Sequence, residues 1–423
     1  MHVRSIFAFT LLSVFFGLDA ESTAQQWTRF RGPNGTGVVD QADLPTSLDN
    51  PLWTTKLTGV GNSCPVAWGD RIFVTSCDMK TAEIRLQCLS MKDGVEKWIR
   101  LFESTPYRLH GKNRFASSTP AVDQDHVYGC IADPDHTIMV ALNHDGKEIW
   151  RRDFGRFASS HGFSASPIVH DDLVILCHSQ AKEQLPAGVA PGQSRLIAVN
   201  RMTGKDVWSA DLTTTRVCYG VPCVWSDADG KEQLVNCNTG DGFYGVELET
   251  GAKRWSALPF KKRVVATPLV AGDLLIGSCG SGGGGNYLVA IDLKKIDSSN
   301  TEEAEKTQPE YTVRSSNYVP CPVAVGDLLF IFNDKGIAYC VDSKTGKPHW
   351  KQRLSSGFSG SPVANGTHVY IADEDGTVFV IKANKAFEQA GKFSLGESTG
   401  ATPMIVNDKI FFRTESQLIC FGN

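Results

Sequence analysis

Residues 359–383 read SGSPVANGTHVYIADEDGTVFVIKA, and this stretch decides the fold. Apolar and polar residues alternate between two turns, Asn365-Gly366 and Asp375-Gly376, the dipeptides that close tight hairpins. Three short strands therefore follow one another in quick succession, and a fourth, carrying Phe393, lies beyond them. The same unit recurs along the chain. A proline at a strand start marks it at Pro65, Pro120, Pro167, Pro222, Pro268, Pro322, Pro362 and Pro403. A turn glycine with tryptophan four residues later occurs at Gly94/Trp98, Gly146/Trp150, Gly204/Trp208, Gly251/Trp255 and Gly346/Trp350. The gap from Trp255 to Trp350 is about twice the preceding interval, and Tyr311 fills it.

Trp98, Trp150, Trp208, Trp255, Tyr311, Trp350 and Phe393 supply seven outer strands for eight proline markers. The chain ends at SQLICFGN, a third strand without its fourth, whereas Trp53 in NPLWTTKL is an outer strand with no blade before it. Pairing the two ends closes the ring and removes the exposed sheet edges of a linear stack. The expectation is an all-β chain: a single eight-bladed β-propeller of four-stranded antiparallel blades over residues 50–423, closed by an N-terminal outer strand. The repeated aromatics, Trp53 included, are assigned to packing between blades, because one structural position recurring in nearly every blade is what that packing requires. Residues 25–49 read as a Gly- and Pro-rich N-terminal tail whose loss should be far milder than loss of Trp53.

Residues 1–24 read as a signal peptide: Arg4, an apolar run at 6–18, then Ser22 and Ala24 at the −3 and −1 positions of a cleavage site. The first cysteine is Cys64, so no lipid anchor is expected at the cleavage point. The chain is read as exported, to the periplasm, the cell envelope or the medium, with no transmembrane segment, and as a monomer. Forty Gly and 19 Pro among 423 residues exclude an all-helical fold. A net charge of −4, with no long basic run, argues against nucleic acid as a partner.

The pattern AxDxxTGxxxW, present as Ala198-Val199-Asn200, Thr203-Gly204 and Trp208 and again as Cys340-Val341-Asp342, Thr345-Gly346 and Trp350, resembles the tryptophan-docking repeat of pyrroloquinoline-quinone (PQQ)-like propellers. The resemblance runs over roughly residues 50–423 and reaches two groups: the quinoprotein dehydrogenases, and BamB, a lipoprotein of the outer-membrane β-barrel assembly machinery. WTRFRGPNGTG at 27–37 and SNYVPCPV at 316–323 are similar to secreted PQQ-like propellers of planctomycete-type bacteria. The resemblance implies the propeller and its docking residues more strongly than any activity. Quinoprotein alcohol dehydrogenases set an adjacent Cys-Cys disulfide against the cofactor; none of the 12 cysteines here neighbours another, and no CxxCH haem motif occurs.

Other strings fail in context. Gly280, Gly282 and Gly285 spell GxGxxG, but a strand-like NYLVAIDL follows where a dinucleotide site needs a helix. Asp373 to Gly376 lacks the remaining ligands of a calcium loop. Neither GxSxG nor HExxH occurs, the ten histidines show no metal-ligand spacing, and no metal site is expected. Cys77, Cys130, Cys177, Cys237 and Cys279 fall in second strands as small apolar residues; buried thiols are favoured over disulfides, with Cys77/Cys88 and Cys223/Cys237 as the pairs that could face each other within a blade.

Loop lengths point to a functional face. Long segments at 102–117, 154–163, 179–195 and 280–286 share one side of the ring; the exception is the charged insertion at 294–310, read as a solvated loop on the other side. Candidate ligand-binding residues just before the inner strands are His110, Arg114, Arg156, His161, Arg216, Tyr219, Arg263, Asn317 and Tyr318, with Lys262 beside them. Their cations predict a positive funnel in an acidic protein. The reading is a non-catalytic binding scaffold for an envelope protein or a small anionic ligand, with no cofactor and no catalytic residue. The alternative is a PQQ- and Ca-dependent oxidoreductase acting on an alcohol or sugar.

Overall fold

The computed structural model describes residues 26–227, 229–297 and 301–422; the signal-peptide reading falls outside them. Eight antiparallel sheets follow one another around a ring, and each runs from an inner strand to an outer one. The quoted stretch becomes the seventh blade: Val363–Ala364, His368–Ala372 and Thr377–Lys382, completed by Gln389–Ser394. The eighth is built from Met404–Val406, Lys409–Arg413 and Gln417–Gly422, and Trp53–Lys56 supplies its outer strand with Trp53 opposite Cys420. The ring therefore closes as the repeat arithmetic predicts, with the fourth strand of the last blade taken from the start of the chain.

Five of the eight docking aromatics, Trp53, Trp98, Trp150, Trp208 and Tyr311, lie under the turn glycine of the next blade. A Cβ on Gly94 would lie 2.5 Å from the Trp53 ring, one on Gly146 2.8 Å from Trp98, and one on Gly346 2.4 Å from Tyr311. These glycines also hold positive φ, so the position is closed to other residues twice over. In three of these tryptophans the polar edge donates to a carbonyl of that same turn: Trp98 Nε1 to His144 O at 2.8 Å, Trp150 to Arg201 O at 2.9 Å and Trp208 to Leu248 O at 2.7 Å. Trp255 departs from the pattern and donates within its own blade, to Gln233 Oε1 at 2.9 Å. The turn it would dock on is replaced by the 294–310 insertion. That insertion is not wholly solvated as read: the short helix Thr301–Glu305 packs on Lys253–Ala257 and buries Ala304 completely.

Around the channel runs a belt that the proline markers flank. At five blade junctions the residue before the marker donates its backbone N–H to the side chain of its counterpart in the next blade: Cys64 to Thr119 Oγ1, Thr119 to Ser166 Oγ, Val221 to Thr267 Oγ1, Cys321 to Ser361 Oγ and Ser361 to Thr402 Oγ1, all at 2.9–3.0 Å. Thr402 N reaches Cys64 Sγ at 3.2 Å and carries the belt across the closure. Val221 offers no acceptor, which interrupts the belt between the third and fourth blades.

Residues 27–48, read from sequence as part of a tail, form a strap across the channel. Inner strands are sheet edges, so their channel-facing backbone groups need partners. The strap supplies them. Trp27 bridges Ala67, Val122 N donates to Thr28 O at 2.8 Å, the Asn34 amide exchanges two bonds with Val224, and Ala364 N donates to Gly37 O at 2.9 Å. Arg29 donates to Pro222 O, and Arg31 to Pro322 O at 2.6 Å and Pro362 O at 3.4 Å. Trp27 and Arg31 are at most 1% exposed, and a Cβ on Gly32 would lie 2.5 Å from the Trp27 ring.

All 12 cysteines are buried free thiols. The two pairs considered above are not opposed: Cys77 faces Ile84 and Cys88 faces Phe73, while Cys223 faces Val235 and Cys237 faces Phe243.

Candidate functional site

The connections that enter the inner strands and those that join second to third strands open on one side of the ring. There they surround a funnel of about 640 Å³ that descends to the belt residues Cys64, Thr119, Ser166, Thr267, Cys321, Ser361 and Thr402 and to Phe30 of the strap. Since the strap crosses the channel, the funnel is a blind cup with one mouth.

Six of the nine candidate residues line this cup: His110, His161, Arg216, Tyr219, Arg263 and Tyr318. Three do other work. Arg114 forms an ion pair with Glu415 at 2.9 Å, tying the entry to the second blade against the eighth. Arg156 reaches out to Pro191 O on the 179–195 loop. Asn317 is fully buried and donates to Ser278 Oγ at 2.9 Å and Pro320 O at 2.6 Å, so it braces its loop. Lys262 donates to Gly284 O at 2.7 Å across the glycine loop. Sequence reading missed Lys112, Lys335, Asp334 and Phe30. Lys335 and Asp334 sit in a two-to-three connection too short to stand out by length, and Phe30 arrives from the strap.

The electrostatics are lopsided. Among the lining residues Lys112, Arg216, Arg263 and Lys335 are cationic, and Asp334 carries the one carboxylate. Lys112 is paired with Glu374. Arg263 is 5% exposed, donates Nε to Val217 O at 2.8 Å and lies 5.6 Å from the Tyr219 ring centre; among the described residues no carboxylate lies within 4.0 Å of it. The Tyr219 hydroxyl donates to Gly162 O at 2.8 Å, which turns the ring face toward that guanidinium. His161 stacks on His110, with ring centres 5.6 Å apart and planes 14° apart. Burial, then Arg263, His110 and Arg216, hold the His161 imidazole down at about 4, so it is neutral at pH 7.

The lining does not fit a quinone–calcium centre. Calcium takes six to eight oxygen ligands, commonly several carboxylates. Asp334 is the lone carboxylate of the cup, it already accepts from Tyr318 N at 2.8 Å and Val319 N at 3.2 Å, and its burial raises its pKa. Away from the cup, the described residues include one group that linear spacing could not show: His170, Asp171 and Glu232, with ligand atoms within 4.8 Å of one another, on the surface.

Comparison with known proteins follows the same lines. The family described as Outer membrane protein assembly factor BamB matches residues 192–315 and 297–422, together more than half of the chain. The chain belongs to this family. A BamB from Burkholderia pseudomallei (strain K96243) is 27% identical over 110 residues, a match that covers 26% of this chain and 28% of that relative. Among solved structures, BamB from Moraxella catarrhalis superposes with a TM-score of 0.58 at 13% identity, covering 88% of this chain and 99% of that one. A europium-containing methanol dehydrogenase superposes with a TM-score of 0.67 at 12% identity, covering 95% and 99%. At these identities the structural likeness shows the shared propeller alone.

Proposed function

We propose that this BamB-family propeller is a non-catalytic binding scaffold of the cell envelope, which receives a small anionic ligand or an acidic segment of a partner protein in the cup on its long-loop face. The observation that carries the reading is the blind cup with a buried, carboxylate-free Arg263 and one carboxylate against four cationic side chains. A rigid ring with a single mouth and a positive lining retains anions by field focusing, with no bond-making group required. The envelope location rests on the leader read at residues 1–24 and on the outer-membrane role in the family's name.

The second reading, a PQQ- and Ca-dependent oxidoreductase, is favoured by the overall likeness to a methanol dehydrogenase and disfavoured by the donor set of the cup. Purified protein with added PQQ and Ca²⁺ separates the two through absorbance, thermal shift and dye-linked alcohol oxidation. The binding reading expects no turnover and no Ca²⁺-dependent quinone spectrum; a saturable, Ca²⁺-dependent signal with turnover replaces it with the oxidoreductase.

A further inference from the structure

The wall of the cup formed by the fourth to sixth blades holds more positive charge than the protein itself balances. Arg216 and Arg263 both line it, and neither is in an ion pair among the described residues. Arg263 is 5% exposed, so solvent does little to screen it. Its neighbours fix its orientation: Val217 O takes Nε, and the Tyr219 ring flanks the guanidinium. The Tyr318 hydroxyl also lies against the guanidinium, and the part of the fork these neighbours leave faces the cup, where it matches the oxygens of a carboxylate or phosphate. His161, from the entry to the neighbouring third blade, is neutral and so competes with neither guanidinium for an anion.

The opposite wall is different in kind. It offers Asn62, Ser117, Ser359, Ser361 and Thr402, donors and acceptors from the seventh, eighth, first and second blades, around Lys112, whose ammonium is already neutralised by Glu374 of the seventh blade. A ligand spanning the cup therefore meets guanidinium groups without acidic partners on one side and, on the other, hydroxyl and amide groups around a closed ion pair. The volume of about 640 Å³ lies within the range of small-molecule sites, and the strap floor prevents threading of a chain through the ring.

We propose that Arg216 and Arg263 form an oxyanion subsite, and that the cup takes a small hydroxylated molecule bearing a carboxylate or phosphate, its anionic group on this wall and its hydroxyls toward the seventh and eighth blades. This deepens the binding reading above and rests on it. The Tyr219 hydroxyl is already committed to Gly162 O, so Tyr219 positions Arg263 rather than gripping the ligand.

Calorimetric titration of the full chain tests this with glucose 6-phosphate, glucuronate, inorganic phosphate and neutral glucose at constant ionic strength, beside chloride. At least one organic anion should bind saturably and more tightly than inorganic phosphate, and glucose at least tenfold more weakly. Arg216→Gln, at a half-exposed position, should weaken binding tenfold or more with an unchanged apo melting temperature; Arg263→Gln should do the same or more, read only if it melts cooperatively. Lys97→Gln, on the outer strand of the first blade, should bind as wild type. Binding that Arg216→Gln leaves intact, glucose binding as tightly as the anions, chloride competing equally, or no anion binding at all overturns the oxyanion subsite. Quinone- and Ca²⁺-dependent turnover overturns the binding reading itself, a separate outcome from a separate assay.

Discussion

Two neighbouring N-terminal segments do opposite jobs. Trp53–Lys56 completes an outer strand, at the rim of the ring; residues 27–48 fill the inner edge, at its centre. The first repeats what seven other outer strands do, so its partner could be found by counting. The second has no counterpart. Its contacts run to residues roughly 190 to 330 positions away, at Pro222, Pro322 and Pro362, and each is made once. Closure at the rim gives the propeller its circumference, while the strap makes a bore into a cup.

The largest expected effect comes from cutting between these segments. A chain beginning at residue 49 keeps the closing strand and loses Trp27, both buried arginines and the apolar residues Val39, Ala42, Leu44 and Leu48. It should melt far below the full chain or aggregate, where a dispensable tail would leave the melt unchanged; thermal melts followed by circular dichroism decide. Point changes sharpen the contrast. Trp27 is completely buried, so Trp27→Ala should cost about 3–5 kcal/mol, while Trp53→Ala, at a half-buried position, should cost roughly 1.5–3 kcal/mol. Urea titration of the two variants should keep that order.

Arg31→Met comes next. It leaves Pro322 O, Thr36 O and Gly35 O without their donor, at about 1–3 kcal/mol for each carbonyl that water cannot reach, but it also relieves a buried, desolvated charge. A net loss of about 1–3 kcal/mol is expected, smaller than that of Trp27→Ala, again by urea titration.

The smallest effect is a pH dependence at a buried histidine that neither segment bonds. Burial holds His178, which accepts or donates at Thr137 Oγ1, at about 4, as it does His161. Between the unfolded value near 6.5 and the folded value near 4 the unfolded chain binds protons that the folded one refuses, so stability is full above about pH 6.5 and falls as pH drops through this window. Denaturant midpoints at pH 7, 5.5 and 4.5 should decline in that order, and less steeply in His178→Asn.

The fold was legible because its determinants repeat. The Pro markers recur in all eight blades and the Gly–Trp spacing in five, enough to set the count, and Trp255 docks differently because an insertion replaced the turn beneath it. The cup was legible only in outline. Loop position identified His161, Arg216 and Arg263, yet side-chain direction separates Arg263, which faces the cup, from Arg156, which faces away, and nothing in linear spacing encodes that direction. Asn317 looked like a ligand group because polar loop residues do, but a buried loop needs its own amide brace. The strap carried one overlooked signal: Trp27 lies outside the repeat spacing, and a tryptophan in a tail has no reason to be there unless it packs.

Amide hydrogen exchange tests the strap most directly. Ala67, Val122 and Ala364 donate their N–H groups to strap carbonyls, and Val224 donates to the Asn34 side chain. In the full chain these four inner-strand amides should exchange slowly, together with the belt amides of Thr119 and Ser361, which bond between blades without the strap. Rapid exchange of the four beside slow exchange of the belt would mean that residues 27–48 do not occupy the channel, and the cup would be an open bore.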